Sequence, residues 1–206
     1  MSTPTPVIFV VDDDPSVRKS LQRLLTVCGY RVQTFGSARE FLQARPGDTP
    51  ACLVLDIRLS GLNGLELQQA LAAEGRALPI VFITGHGDIP MSVQAMKAGA
   101  VDFLPKPFTE QALLGAIEEA LAKSRREGTA NSELAGLKAR LATLSPREAE
   151  VFRHVVTGRL NKEIAAALGI AEQTVKVHRG RVMDKLRVQS VADLARLAEK
   201  AGIAPK

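Results

Sequence analysis

The length, composition and charge of the chain exclude disorder and favour two domains. With 206 residues, 46% of them hydrophobic, the chain can bury real cores and is too apolar to be disordered. Residues 1–124 carry 11 basic and 13 acidic side chains, a net charge of −2, whereas residues 125–206 carry 16 and 9, a net charge of +7. The basic second half suggests a polyanionic partner, although a merely soluble basic domain would have the same charge.

The cysteines and the first residues are typical of a reduced, cytoplasmic protein. Cys28 and Cys52 have apolar neighbours, no C-x-x-C spacing and no nearby His, so we expect both to be reduced core residues. Residues 1–6 have no basic region, and the apolar run that follows them is short and ends in acids. The sequence therefore predicts no signal peptide, no membrane span and a cytoplasmic location.

Residues 1–123 are predicted to alternate between strands and helices. Short apolar runs predict strands, and apolar residues three and four positions apart predict helices. In chain order the predicted elements are strand 7–11, helix 15–27, strand 31–35, helix 37–44, strand 52–56, helix 65–73, strand 79–84, helix 91–98, strand 101–104 and helix 109–123.

This alternation predicts a parallel sheet covered by helices on both faces. The flavodoxin-like strand order 2-1-3-4-5 is a general rule for five strands and does not follow from these residues. In that order Asp12, Asp13 and Asp56 converge at one edge of the sheet. At ~4 Å and an effective dielectric constant of ~20, each like-charge pair costs about 4 kcal/mol, so the acids need a cation. Mg²⁺ prefers such oxygen ligands.

These motifs resemble the receiver domain of bacterial two-component response regulators over residues 7–123. The residues that carry the resemblance are Val11-Asp12-Asp13, Asp56, Thr84 and Lys106-Pro107. The segments 83–88 and 96–100 are similar to the FixJ branch of that family.

The resemblance implies a phosphoryl acceptor and a metal site. Asp56 would accept a phosphoryl group from a histidine kinase. Mg²⁺, for which Mn²⁺ or another divalent cation can substitute, would be held by Asp12, Asp13, Asp56 and the backbone carbonyl of Arg58. Taken singly, each acid has an ordinary alternative role, such as capping a helix.

The resemblance also implies a conformational switch. Thr84 and Lys106 would contact the phosphoryl oxygens, and Phe103 matches the aromatic switch position. Phosphorylation adds about 1.5 to 2 negative charges, and an inward movement of Thr84 would leave space that Phe103 fills. Relatives have a cis Lys-Pro peptide at the position of Lys106-Pro107.

Three residues near the implied site raise separate questions. Ser60 stands where the family usually has Pro, and the loss of a rigid φ should loosen this loop. Arg58 and His86 lie two residues after Asp56 and Thr84, and we hypothesise that they control the access of water to the acyl phosphate.

A polar segment, 124–132, predicts a break between domains. After it, Leu134, Leu137, Leu141 and Leu144 form an apolar stripe that is typical of a helix. The stripe fits packing on its own domain or a short dimerising coil, because two heptads do not decide between them. We therefore assign 1–123 to a receiver domain, 124–143 to a partly helical linker and 144–206 to a second domain.

The second domain is predicted to be all-α, with four helices. Ser145-Pro146 and Glu148 begin the first helix, with Ala149, Phe152 and Val156 on its core face, and Gly158 ends it. Asn161 is predicted to cap the second helix, with Ile164, Ala165 and Leu168 facing inward. Helices 172–186 and 191–201 follow the turn at Gly169. Two short helices joined by a Gly-bearing turn, the later one basic, indicate a helix-turn-helix.

Residues 144–198 resemble the LuxR-type DNA-binding domain of the FixJ/NarL response regulators. The segments that carry the resemblance are 144–148, 161–165, 174–178 and 185–186. It implies that Lys176 and Val177 point to base edges. The residues expected to contact the DNA backbone, one of which could be structural, are Lys162, Thr174, His178 and Arg179.

Gly180 and the two histidines of this domain are separate cases. Gly180 falls where relatives often carry a long basic side chain that contacts a base. It either contacts no base or permits a close approach of the helix backbone to the DNA. Zinc binding by His154 and His178 is disfavoured, because no clustered ligands accompany them.

The sequence as a whole indicates a phosphorylation-activated transcriptional regulator, and family habit favours an activator. The resemblance implies a histidine kinase, promoter DNA, RNA polymerase and a second copy of the chain, joined on phosphorylation, as partners. It implies no enzyme activity beyond the protein's own phosphoryl transfer and slow dephosphorylation. The alternatives are a Mg²⁺-dependent phosphohydrolase, which could use the D-x-D at residues 12–14, and a phosphorylated adaptor whose basic domain binds protein.

Overall fold

The computed structural model describes residues 5–44, 50–76, 78–85 and 89–203. The chain divides into two compact units, Met1–Gly128 and Thr129–Lys206. The first unit is built on a sheet and the second is helical, and each has a hydrophobic core of its own. Within the described ranges, no helix is long and apolar enough to cross a membrane.

A five-stranded parallel sheet forms the centre of the first unit, in the predicted order β2-β1-β3-β4-β5. The strands are β1 (Val7–Val11), β2 (Arg31–Phe35), β3 (Ala51–Asp56), β4 (Ile80–Thr84) and β5 (Asp102–Pro105). The helices that begin in this unit are α1 (Pro15–Val27), α2 (Ala38–Gln43), α3 (Gly64–Ala73), α4 (Ile89–Lys97) and α5 (Glu110–Ala142). The predicted fold class is confirmed.

Alternate residues of the central strands pack on opposite faces of the sheet. In β1, Ile8 and Val10 join a cluster with apolar side chains of α1 and α5. Phe9 and Val11 join the other cluster, with side chains of α2, α3 and α4. Because both faces of these strands are buried, the strands appear in the sequence as continuous apolar runs.

The strand register aligns the carboxyl ends that carry the predicted site. Val11 of β1 is paired with Leu55 of β3, so the next residues, Asp12 and Asp56, are neighbours at the edge. Thr84 of β4 is paired with Pro105 of β5, which places Lys106 beyond the same edge.

Helix α5 is longer than the sequence predicted. The structure has one continuous helix over Glu110–Ala142, where the sequence predicted a helix ending near residue 123 and a polar break at 124–132. The segment contains no Pro, and one mid-helix Gly, Gly128, costs only about 1 kcal/mol relative to Ala. Propagating an existing helix through such a segment is easier than nucleating a new one. Polarity was therefore a poor indicator of where this helix ends, whereas the division between the two units, after Gly128, does lie within 124–132.

The prediction that Cys28 is a core residue is also wrong, since it is exposed at the C-terminus of α1. Cys52 lies in the core as predicted, and burial raises the pKa of its thiol. Both cysteines are free.

The second unit contains the end of α5 and four further helices. These are α6 (Pro146–Val156), α7 (Asn161–Leu168), α8 (Glu172–Leu186) and α9 (Val191–Lys200). Leu141 and Leu144 of the predicted stripe pack against the core of this unit, which favours packing on its own domain. The buried face of α6 is formed by Val151, Phe152 and Val155, whereas Ala149 and Val156 are only partly buried.

An ion pair between a buried carboxylate and an exposed ammonium fixes the start of α6. Ser145 caps the helix and exchanges hydrogen bonds with Glu148 in a capping box, as the sequence predicted. The Glu148 carboxylate also accepts a 2.6 Å bond from the ammonium of Lys185 on α8. This bond and the capping contacts lower the pKa of Glu148 to about 2. The contact ties α8 to α6 at neutral pH.

Gly64 allows α3 to begin against the backbone of Asp56. A Cβ at this position would lie 2.6 Å from the carbonyl oxygen of Asp56 and 3.0 Å from Cα of Ile57. These neighbours are backbone atoms beside a fully buried strand, so they have little room to move. The sequence showed only a Gly-bearing loop here and gave no sign of this close approach.

We expect Gly64→Ala to lower the free energy of unfolding by roughly 1–3 kcal/mol, because the added methyl group overpacks the backbone around Asp56. Gly115→Ala on α5 is the matched control, since a Cβ there meets no atom within 4 Å. The control should stabilise the protein by about 1 kcal/mol. Urea unfolding followed by circular dichroism measures both, and equal effects of the two substitutions would contradict the argument.

Candidate functional site

An ammonium group bridges two carboxylates at the carboxyl edge of the sheet. Lys106 Nζ lies 2.8 Å from Asp12 Oδ2 and 2.7 Å from Asp56 Oδ2. Asp12 is fully buried and Asp56 is 8% exposed. Burial raises the pKa of Asp12 above its ordinary value even though its hydrogen bond with Lys106 opposes this. Asp12 and Asp56, two of the three acids predicted to converge at this edge, are thus neighbours, with the ammonium of Lys106 between them.

The two remaining oxygens of these acids bind backbone N–H groups. Asp12 Oδ1 accepts a hydrogen bond from Asp14 N at 2.9 Å, and Asp56 Oδ1 accepts one from Arg58 N at 2.9 Å. Each carboxylate is therefore fixed by its own loop as well as by Lys106. The Lys106-Pro107 peptide is cis, as the resemblance implied.

Asp13 lies in a different environment from Asp12. It is exposed and accepts hydrogen bonds from Ser60 Oγ at 2.5 Å and Ser60 N at 3.1 Å. The hydroxyl bond is the main cause of a lowered pKa for the Asp13 carboxyl. Ser60 consequently ties this loop to Asp13, while the expectation that the absence of Pro loosens the loop stays a prediction.

Thr84 and Phe103 lie beside this edge. Thr84 is fully buried, and its carbonyl oxygen accepts a 2.6 Å bond from Lys106 N. Phe103 is partly buried and packs against the cluster that contains α4. Residues 86–88, which include His86, lie outside the described residues, and Arg58 is exposed.

The donor chemistry at this edge fits Mg²⁺. Carboxylate and carbonyl oxygens, with water and phosphate, are the ligands that Mg²⁺ usually takes, and one or two carboxylates suffice. Asp13 and Asp56 supply such carboxylates, and Arg58 can supply a carbonyl. Across the part of the chain that the structure describes, however, no group of three or more His, Cys, Asp or Glu side chains is arranged to hold a metal ion. The ammonium of Lys106 occupies the space between Asp12 and Asp56.

The second unit presents an exposed polar face on α8. The helix buries Val175, Val182 and Leu186 in the core. The opposite face exposes the predicted DNA-contact residues Thr174, Lys176 and Val177, and Lys162 is exposed on α7. Gly169 links the two helices with φ 64°, a left-handed conformation that favours glycine.

Asn161 differs from its predicted role, and its side chain contacts Arg179 instead. The N-cap of α7 is Leu160, whose N–H is bound by Glu163 at 2.8 Å, and Asn161 is already helical. The Asn161 side chain instead accepts a 2.9 Å hydrogen bond from Arg179. Arg179 therefore ties α7 to α8, which supports a structural contribution.

The contacts of His178 and Gly180 do not assign either residue a role. His178 is half-buried, and its Nδ1 is buried without a hydrogen-bond partner among the described residues. Beyond the backbone of its own helix, a Cβ at Gly180 would meet no atom of the described residues within 4 Å. Close packing within the described ranges therefore does not require Gly at this position.

Comparisons with known proteins identify both units. Residues 8–118 match the model of the response regulator receiver domain, and residues 142–198 match that of the bacterial regulatory proteins of the luxR family. The chain belongs to the response regulators. Its receiver and LuxR-type DNA-binding domains make it a transcriptional regulator of a two-component system and not a conventional enzyme.

Individual relatives match along most of the chain. It is 53% identical over 197 residues to nodulation protein W of Bradyrhizobium diazoefficiens, covering 96% of this chain and 87% of that protein. It is 42% identical to the transcriptional regulatory protein FixJ of the same organism, covering 95% of this chain and 96% of that one. The solved structure of the response regulator StyR is 51% identical and has a TM-score of 0.84, covering 95% of this chain and 99% of StyR.

We expect Lys106→Met to destabilise the receiver by roughly 1–3 kcal/mol at pH 7, because two buried carboxylates lose their cation. The pKa of Asp12, already raised by burial, rises further without the ammonium. A carboxyl whose pKa is raised in the folded state loses stability as pH rises from its ordinary value of 3.8 through the raised value. Lys106→Met should therefore lose more stability than the wild type as pH rises from 3.8 to 8.

Urea unfolding in EDTA at both pH values measures this difference. Lys97→Met, which removes an exposed lysine of α4, is the matched control and should follow the wild type. A pH dependence of Lys106→Met equal to that of the control would show that Asp12 is not held by Lys106.

Proposed function

We propose that Asp56 is the phosphoryl acceptor through which a histidine kinase activates this response regulator. The observation that supports the proposal is the bridge from Lys106 to Asp12 and Asp56, at 2.8 and 2.7 Å. Asp56 is the nearly buried acid at the end of β3, and Lys106 offers a positive charge beside it. Such a charge stabilises the phosphoryl oxygens as they transfer.

Mg²⁺ is the proposed cofactor, with Mn²⁺ or another divalent cation as a substitute. Receiver domains bind Mg²⁺ at their phosphorylation site, and when bound the ion neutralises charge on the incoming phosphoryl group. Asp13, Asp56 and the carbonyl of Arg58 would hold it. Asp12, buried against Lys106, would position that lysine and act as a further acid of the metal site.

Thr84, Lys106 and Phe103 form the proposed switch. Lys106 N bonds the carbonyl oxygen of Thr84, so a movement of the ammonium towards a phosphoryl group would be felt by β4 through a single hydrogen bond. Phe103, on the strand paired with β4, is only partly buried and has room to change its position. A charge added at Asp56 would in this way alter the surface formed by α4, β5 and α5.

The proposed output is DNA binding by the second unit. We assign residues 1–123 to the receiver, 124–143 to the linker and 144–206 to DNA binding. Phosphorylation would join two receivers and bring two α8 helices onto neighbouring half-sites, which raises affinity. Promoter DNA, RNA polymerase and a second copy of the chain are the proposed partners, and activation is the proposed outcome.

Phosphoryl transfer can be tested with a small phosphodonor and Mg²⁺. We expect one phosphoryl group per chain, located on Asp56 by peptide mapping, and a shift towards dimers in sedimentation. Asp56→Asn should take up no phosphoryl group, and Glu66→Gln on α3 is a control that should behave as the wild type. Rapid multiple turnover of varied phosphoesters would instead support a phosphohydrolase.

The DNA contacts can be tested by the loss of single side chains. After a binding duplex has been selected from random sequences, Lys176→Ala should bind it about tenfold or more weakly, because a base contact is worth about 1–3 kcal/mol. Lys138→Ala, which removes an exposed lysine of α5, is the matched control. If Lys176→Ala leaves salt-dependent DNA binding unchanged, Lys176 does not contact the DNA. If the wild type binds no DNA, the result favours the alternative of a phosphorylated adaptor whose basic domain binds protein.

A further inference from the structure

Ser60 connects the loop after β3 to the loop after β1. Its N–H and its hydroxyl both donate to Asp13 Oδ2, at 3.1 and 2.5 Å. Asp13 and Ser60 are 47 residues apart in the chain. The same loop holds Arg58, whose N–H binds Asp56 Oδ1 at 2.9 Å. Ser60 therefore fixes Asp13 relative to the loop that carries Asp56.

Asp13 differs from the other two acids in what holds it. The ammonium of Lys106 bridges Asp12 and Asp56, whereas the hydrogen bonds that Asp13 accepts from other described residues come from Ser60. Asp13 is exposed, so without Ser60 its side chain would be free to turn towards water. Both bonds end on Oδ2, and the carboxylate has a second oxygen that can bind a cation.

We propose that Ser60 is a positioning residue for the Mg²⁺ ligand Asp13. The proposal rests on the proposed phosphoryl-transfer function. Hydrogen bonds from outside the ligand shell orient a ligand, and their loss typically weakens metal binding about 10- to 100-fold. A serine supplies two donors at this position, whereas a proline has no N–H and no hydroxyl. In this chain the position of Asp13 therefore depends on the two donors of Ser60, neither of which a proline supplies.

Magnesium titration of the full chain by calorimetry, without phosphodonor, tests the proposal. We expect Ser60→Ala to weaken Mg²⁺ binding about tenfold, at the lower end of that range, because the backbone donor remains. Ser60→Pro, which loses both donors, should weaken it at least as much, and Ser60→Thr should stay near the wild type. Ser20→Ala, which removes an exposed hydroxyl of α1, is the matched control and should not change the affinity.

The possible results separate the two proposals. If Ser60→Ala and Ser60→Pro bind Mg²⁺ as tightly as the wild type or more tightly, the role of Ser60 is overturned and the phosphoryl-transfer function stands. If the wild type itself binds no Mg²⁺, the proposed metal site is wrong and the inference is overturned with it. Circular dichroism without metal checks that each variant is folded. If Ser60→Ala is unfolded, Ser60→Pro and Ser60→Thr decide the outcome.

Discussion

The receiver depends on one ammonium group that lies between two carboxylates. Asp12 and Asp56 end adjacent strands, and the register makes them neighbours at an edge with little water. At ~4 Å and an effective dielectric constant of ~20, their repulsion would be about 4 kcal/mol. Lys106 reaches both within hydrogen-bond distance from the far strand of the sheet. Three loops that are distant in sequence are therefore joined at one point.

The same bridge is the starting point of the proposed response to phosphorylation. A phosphoryl group on Asp56 would turn a carboxylate into a group with more negative charge and new acceptor oxygens. Lys106 could then follow that charge and leave Asp12, which burial already disposes to hold a proton. The backbone N–H of Lys106 donates to the carbonyl oxygen of Thr84, and the proposed switch uses this contact with β4. In that proposal, a local electrostatic change at Asp56 would act on β4, the strand paired with the one that carries Phe103.

The strands could be predicted because the apolar residues that mark them are adjacent in the sequence. Each central strand is buried on both faces, so its residues form an apolar run, and the acids at its end mark the edge of the sheet. The length of α5 was not predictable in this way, because polar residues occur in exposed helices as well as in linkers. The α7 cap was missed for a related reason: Asn161 suits a cap, but Arg179 binds its side chain instead. That contact joins residues 18 positions apart, which no local pattern records.

Asp12 and Asp13 show why adjacent identical residues need not share a role. Successive side chains at the end of a strand point in opposite directions. Asp12 consequently turns inward to Lys106, and burial raises its pKa. Asp13 turns outward to Ser60, whose hydroxyl lowers its pKa. The geometry at the end of the strand therefore gives these two adjacent acids different partners and opposite pKa shifts, which the motif Asp12-Asp13 alone does not distinguish.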